Sequence, residues 1–231
     1  MCITLLIMFN DFFNLLFPRL CAACNEALLK NEDVICNACQ ISLPKTNYHL
    51  DKENQLNKVF WGRVDVEMVA SYYHFTKKSK VQSLLHQLKY SNNKEVGEKI
   101  GLLYGFELKN SSLFDKIDVV IPVPLHPKKL KRRGYNQSEW FANGLAKSLK
   151  IELDITSLYR KVDSQTQTKK SRYNRWQNVG EIFGVKDVKQ LTGKSILLVD
   201  DVVTTGATLE GCAQVLKTLG CKIFIVTIAC A

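Results

Sequence analysis

No run of apolar residues in this chain is long enough to cross a bilayer, and no internal repeat or low-complexity tract breaks its composition. The first lack argues against an integral membrane segment, the second against a solenoid or fibrous protein. Acidic residues are the scarcer charge: 22 Asp and Glu stand against 32 Lys and Arg, giving a formal charge of +10. That balance favours anionic partners, whether nucleic acid, polyphosphate metabolites or an anionic membrane surface. Histidine is sparse as well. Four scattered histidines support neither a Ser-His-Asp nor a Cys-His-Asn arrangement, and His126 packs against Pro127 as readily as it serves a site.

With 231 residues, 46% of them hydrophobic and 23% charged, the chain has room for one α/β domain and a small accessory module. The apolar opening, ITLLIMF, has nothing basic before it, is interrupted by Asn10 and Asp11, and lacks a small-residue cleavage site. Phe9, Phe12, Phe13 and Leu16 recur at helical spacing until Pro18 stops them. An amphipathic helix over 1–17, docked on the protein rather than on a membrane, is expected, and with it a reducing, cytoplasmic setting.

The eight cysteines are of two kinds. Cys2, Cys212, Cys221 and Cys230 are scattered and mostly sit among apolar residues, as core cysteines do. Cys21, Cys24, Cys36 and Cys39 form two CxxC pairs separated by eleven residues. Each pair presents two sulfurs from a tight turn, the arrangement that tetrahedral Zn²⁺ requires; buried free thiols or disulfides are the alternatives. A closed four-thiolate site leaves no open coordination position, so such a zinc is structural. Residues 18–44 are thus expected to form a zinc ribbon, carrying only Arg19 and Lys30 as an electrostatic footprint, and the polar stretch 45–63 a linker.

From residue 64 to 231, strands and helices alternate. MVASYYHF reads as a strand; Val81, Leu84, Leu85 and Leu88 mark one helix face, and Val96, Ile100 and Leu103 another. VVIPVP is a short buried strand, and 137–149 a helix with Trp140, Phe141, Leu145 and Leu149 inward. EIFGV, the central ILLVDD, a helix from about Ala207 to Leu219 and the closing KIFIVTIA complete the series. Continuous apolar strands between helices predict a mostly parallel sheet covered on both faces.

ILLVDDVVTTGAT carries the chemistry. Ligands of open α/β sheets bind beyond the carboxyl ends of the strands, where Asp200 and Asp201 fall. Small residues in Thr204, Thr205, Gly206, Ala207 and Thr208 let backbone N–H groups converge on a phosphate at the next helix N-terminus. No Gly-Lys-Ser/Thr follows Gly206 there, which excludes a Walker A loop. A polar turn and helix cap alone would account for one Asp and one Thr. Two adjacent carboxylates beside a phosphate cradle make sense for a ligand that also presents a diol, which points to a ribose 5-phosphate site.

The segment resembles the type I phosphoribosyltransferase signature. The resemblance implies a Rossmann-like fold, Asp200 and Asp201 on the ribose hydroxyls of phosphoribosyl pyrophosphate (PRPP), and Val203 through Thr208 on its 5′-phosphate. The turn at Val123 and Pro124 in VIPVPLH would then take the pyrophosphate with its Mg²⁺. KKLKRRGYNQ follows directly, with five basic residues in its first six. Its Lys128, Arg132 and Arg133 are candidates to stabilise pyrophosphate binding and departure, unless the run is simply a solvated face. The basic, amide-rich stretch 160–178 has the composition of a cover loop, with Gln167, Lys169, Arg172, Arg175 and Asn178 its candidate side chains, a plain surface loop being the alternative.

Taken in order, the paired CxxC module, PVPLHPKKLKRRGYNQ, SQTQTKKSRYNRWQN and VDDVVTTGATL resemble the ComF family from about Phe9 to the C-terminus. That family is a type I phosphoribosyltransferase-fold group associated with competence and DNA uptake, related to the transferase domain of amidophosphoribosyltransferase. Where its cover loop has Thr-x-x-Gln-x-x-Leu, this chain has Ser164, Gln167 and Lys170. The resemblance implies transfer of the phosphoribosyl group to an acceptor, with Asp200, Asp201, Arg133 and Arg172 nearest the chemistry. Two other readings stay open: a PRPP or nucleotide sensor without turnover, and a DNA-uptake accessory holding single-stranded DNA or competence-machinery proteins. Tyr135, Trp140, Tyr173 and Trp176 are the aromatics available for stacking in the latter.

Overall fold

The computed structural model describes residues 17–161 and 182–231. The expected opening helix, apart from Phe17, lies outside these residues, as do Gln167, Lys169, Arg172, Arg175 and Asn178.

At the centre is a five-stranded sheet. Its strands are β1 (Met68–His74), β2 (Val119–Pro122), β3 (Glu152–Leu153), β6 (Ser195–Val203) and β7 (Lys222–Cys230), ordered β1-β7-β6-β2-β3 with every pairing parallel. The middle place of β6 follows from its sequence: Ile196, Leu197, Leu198 and Val199 are all fully buried, which only a strand covered on both faces allows. A small antiparallel pair, β4 (Leu158–Arg160) with β5 (Phe183–Val185), flanks the main sheet.

Helices cover both faces. On one side lie α3 (Lys80–Tyr90), α4 (Lys94–Leu108) and α6 (Gln137–Leu149), whose buried Leu84, Leu88, Ile100, Tyr104, Phe141 and Leu145 share a core with Leu197 and Val199. On the other side α7 (Val188–Leu191) buries Leu191, and α8 (Ala207–Lys217) packs Leu209, Cys212, Ala213 and Leu216 against Ile196, Leu198 and Ile225. Sheet and helices therefore form the doubly covered α/β fold that the alternating pattern predicts.

The ribbon is part of this body. Its short helix α1 (Asn37–Ser42) and flanking turns bury Ile35, Cys39 and Leu43 in the same core cluster as Val81, Leu84 and Leu85 of α3. Buried Glu32 knits the turns together, accepting from the amides of Leu29 at 2.9 Å and Asn37 at 2.8 Å.

The stretch 45–63, where a linker is expected, instead packs along β1 and beneath the loop at Thr205 and Gly206. The Thr46 amide donates to the Tyr72 carbonyl and the His74 amide to the Pro44 carbonyl. Asn54, at the cap of helix α2 (Gln55–Lys58), donates to the Val69 carbonyl at 3.1 Å, and Asn57 accepts from the Val69 amide at 2.9 Å. Asparagine amides thus stand in for a neighbouring strand at this sheet edge, which otherwise invites edge-to-edge pairing. The segment ends with Phe60, fully buried in the core on the α8 side.

Candidate sugar-phosphate site and four-cysteine centre

Strand β2 stops at Pro122, opposite Val199, whereas β6 runs on to Val203. The two residues after Val199 are Asp200 and Asp201, which therefore emerge at the carboxyl end of the sheet where the β2 side falls away. Sequence reasoning locates the acids at this end; the structure puts both inside β6, where Asp200 pairs with Thr227 of β7.

Each acid has a partner that the sequence does not announce. The Ser138 hydroxyl, in the first turn of α6, donates to Oδ1 of Asp200 at 2.8 Å. The Asp201 amide donates to the same oxygen at 2.8 Å. Lys89, in the last turn of α3, places its ammonium 2.9 Å from Oδ2 of Asp201. Burial, followed by the neighbouring Asp201 carboxylate, pushes the Asp200 carboxyl up to about 7, against the pull of Ser138, the Asp201 amide and Lys89.

The loop expected to hold a phosphate, residues 203–208, follows at once. Gly206 caps α8 in the left-handed conformation, with φ of +73°. A Cβ there would lie 2.9 Å from Cζ of Phe60, so glycine is required both for backbone and for space. Val203, Thr204, Thr205, Gly206, Ala207 and Thr208 line a small concavity with Asp200, at the positive end of an eleven-residue helix. Arg63 supports the loop: it donates to the Thr205 carbonyl at 2.7 Å and the Val59 carbonyl at 3.2 Å, and pairs with Glu210 in the first turn of α8.

Beside this concavity is a cleft of about 230 Å³ reaching from Asp200 and Asp201 to the turn at Val123 and Pro124. The basic run forms a short helix, α5 (Pro127–Arg133), with Pro127 in its first turn and the His126 side chain accepting from the Lys128 amide at 3.1 Å. His126 therefore has a capping role. Helical spacing splits the basic residues: Lys129 and Arg133 line the cleft with His126, whereas Lys128 and Arg132 are exposed and do not. Arg133 donates to Gln137 and lies over the Tyr90 ring at 5.5 Å. Arg160, at the end of β4, adds a further charge to the lining.

Sequence reasoning missed Lys89, Ser138, Arg160 and Arg63. Lys89 and Arg63 carry a weak signal, as lone basic residues beside apolar helical stretches; Ser138 and Arg160 carry none.

At the four-cysteine centre, the sulfurs of Cys21, Cys24, Cys36 and Cys39 all lie within 4.8 Å of one another, and those of Cys24 and Cys36 are 3.8 Å apart. Zn–S bonds of about 2.3 Å in a tetrahedron require sulfur–sulfur edges of about 3.8 Å, so the set fits such a metal. The Cys36 amide donates to the Cys21 sulfur at 3.3 Å. Burial and the neighbouring thiols push Cys39 up to about 12, while Cys21, despite its burial, is drawn down to about 7 by backbone N–H groups. Four thiolates are not stable together without a cation to share, and a divalent metal supplies one.

Fold and site together define a phosphoribosyltransferase-fold protein with a four-cysteine module docked on it. A family model described as "Phosphoribosyl transferase domain" matches residues 135–231. The DNA utilization protein YhgH of Escherichia coli (strain K12) is 30% identical over 205 residues, covering 87% of this chain and 85% of its own length. Competence protein F of Haemophilus influenzae is 25% identical over 87% of this chain and 91% of its own. Competence protein ComFC of Bacillus subtilis is 25% identical over 84% and 82%. The chain belongs to the ComF family of competence and DNA-utilization proteins.

Proposed function

We propose that this protein binds PRPP with Mg²⁺ and transfers its phosphoribosyl group to an acceptor, releasing pyrophosphate. The observation that carries the reading is the acid pair Asp200–Asp201 standing directly between a phosphate cradle and a cleft lined by Lys129, Arg133 and Arg160. A ligand with phosphate at one end, a diol in the middle and pyrophosphate at the other matches that order of groups. Asp200 and Asp201 accept from the ribose hydroxyls, and residues 203–208 hold the 5′-phosphate. The bond from the anomeric carbon to pyrophosphate breaks as the acceptor's lone pair forms the new one, and the acceptor's proton leaves to solvent. Arg133 and its neighbours favour the departing negative charge.

Mg²⁺ suits the donor set, since it is held by one or two carboxylates together with substrate phosphates; Asp200 and Asp201 would hold it, and it would neutralise charge on the pyrophosphate. Zn²⁺ in the four-cysteine centre is structural in this reading. The relatives' names, a DNA utilization protein and a competence protein, support linking this activity to competence and DNA utilization. Arg172, Gln167, Lys169 and Arg175, outside the described residues, belong to the proposal as cover-loop residues on sequence grounds alone.

The test is calorimetric titration of the metal-loaded protein with PRPP and Mg²⁺, beside the Asp200→Asn, Asp201→Asn double variant. Saturable binding in the first and a loss of at least tenfold in the second is the expected result. No binding to a folded, metal-loaded protein sinks the reading. Binding without pyrophosphate release across a panel of nitrogenous acceptors turns it into the sensor.

A further inference from the structure

Three consecutive residues at the end of α3 each meet a different part of the cleft wall. The Leu88 carbonyl accepts from the Tyr135 hydroxyl, beyond the basic helix. The Tyr90 ring lies under Arg133, 5.5 Å from its guanidinium carbon. Between them, Lys89 sends its ammonium to Asp201. The backbone around Lys89 is therefore held from both sides by the segment following the Pro-Val-Pro turn. Its side chain is 22% exposed and that of Asp201 16% exposed, unlike a solvated surface pair. A cation in the last turn of a helix is also favoured by the carbonyl end of the dipole.

Of the other charges lining the cleft, Arg133 is engaged on Gln137 and Tyr90, Arg160 lies over the Phe183 ring at 5.4 Å, and Lys129 is solvent-exposed on α5. Among the described residues, Lys89 is the cation that closes on the acid pair. A ribose hydroxyl or a metal ion held by Asp201 would compete with this ammonium for the same carboxylate.

We propose that Lys89 is a ligand-displaceable counter-ion: its ammonium neutralises the acid pair in the ligand-free protein, and passes to the ligand's pyrophosphate when a divalent cation and the ribose hydroxyls take the carboxylates. The inference rests on the reading of this cleft as a sugar-phosphate site. Its consequence is ordered loading. A divalent cation arriving alone must displace the ammonium with no new partner for it, and so binds weakly. An anionic ligand arriving with the cation offers that partner, and both bind.

The experiment compares wild type with Lys89→Met and Lys89→Arg at pH 8, titrating each with Mn²⁺ alone and with inorganic pyrophosphate alone. Lys89→Met is expected to bind Mn²⁺ at least tenfold more tightly than wild type, and adding Asp201→Asn is expected to remove the gain. The same variant is expected to bind pyrophosphate at least tenfold more weakly, with Lys89→Arg close to wild type. Equal Mn²⁺ affinity in wild type and Lys89→Met overturns the proposal, even if pyrophosphate binding falls, since Lys89 is then an ordinary anion ligand. The manganese arm involves no sugar phosphate, so it reads out independently of whether PRPP binds. Should Lys89→Met melt several degrees lower, Lys89→Gln replaces it with the same expectations.

Discussion

Gly206 shows how narrowly the site is specified at the scale of single residues. A side chain there is strained by the positive φ and meets Phe60 beneath it. Left-handed backbone costs a non-glycine residue about 1–2 kcal/mol, and the contact adds to it. Gly206→Ala is therefore expected to lower the melting temperature by several degrees and to weaken phosphate-ester binding at least tenfold; unchanged values in both would show that the loop relaxes freely.

Asp200 yields a prediction about pH. Its carboxyl is raised to about 7 in the folded chain, against an ordinary value of 3.8. A raised acid contributes stability that is complete below about pH 4 and is lost as pH rises through 7. Urea unfolding of the Mg²⁺-free protein should show this loss between about pH 4 and pH 7, levelling off above. Asp200→Asn should flatten it and gain about 1–2 kcal/mol at pH 8, less than the full shift because the cleft admits water. A wild type with the same slope as Asp200→Asn would place the proton elsewhere.

Among the elements, α4 and α6 cross with almost no space between their backbones. A Cβ on Gly101 would stand 2.3 Å from the Phe141 carbonyl oxygen, and one on Gly144 would stand 2.2 Å from that of Glu98. Separating the helices would displace α4 or α6, and the first turn of α6 holds Ser138 against Asp200. Gly101→Ala should thus cost about 1–3 kcal/mol in unfolding free energy, as overpacked cores do. It should also weaken ligand binding at a site far along the helix; a stability loss with binding intact would show that the strain stays local. The periodic apolar residues of these helices are legible in sequence. Their close approach is not, because a glycine in a helical stretch does not say which neighbour it admits.

The segment 45–63 teaches the same lesson at the element scale. Its polar, aperiodic composition reads as a linker, since its hydrogen-bonding side chains could as well face water. Asn54 and Asn57 instead complete the edge of β1, and Arg63 and Phe60 support the loop at Thr205 and Gly206. Their partners lie far away in sequence, beyond the reach of any local pattern. The basic helix is an intermediate case: its charge is obvious, but only the fold sorts Lys129 and Arg133 toward the cleft and Lys128 and Arg132 away.

For the whole molecule, the ribbon's apolar residues sit in the same core as α3 and α4, with Asp33 and Ser42 reaching Lys99 and Lys80. Removing the metal is then expected to destabilise the entire chain. Treatment with a strong chelator, or Cys36→Ser, should lower the thermal midpoint in one cooperative transition, with ligand binding lost alongside. Two separate transitions, the later one retaining binding, would mean that the ribbon folds on its own. No helix among the described residues is long and apolar enough to cross a membrane.

What the sequence determined by itself was whatever is local: the order of strands and helices from apolar period, the CxxC pairs from their spacing, and the acid pair with the small-residue loop after it from contiguous chemistry. The tertiary structure alone decided which distant side chains complete those features. Lys89 and Ser138 meet the acids, Phe60 and Arg63 support Gly206 and Thr205, and Gly101 receives Phe141. Each contact joins segments at least forty residues apart. Such pairs are set by how the covered sheet brings helix ends to its carboxyl edge, and no single segment carries that information.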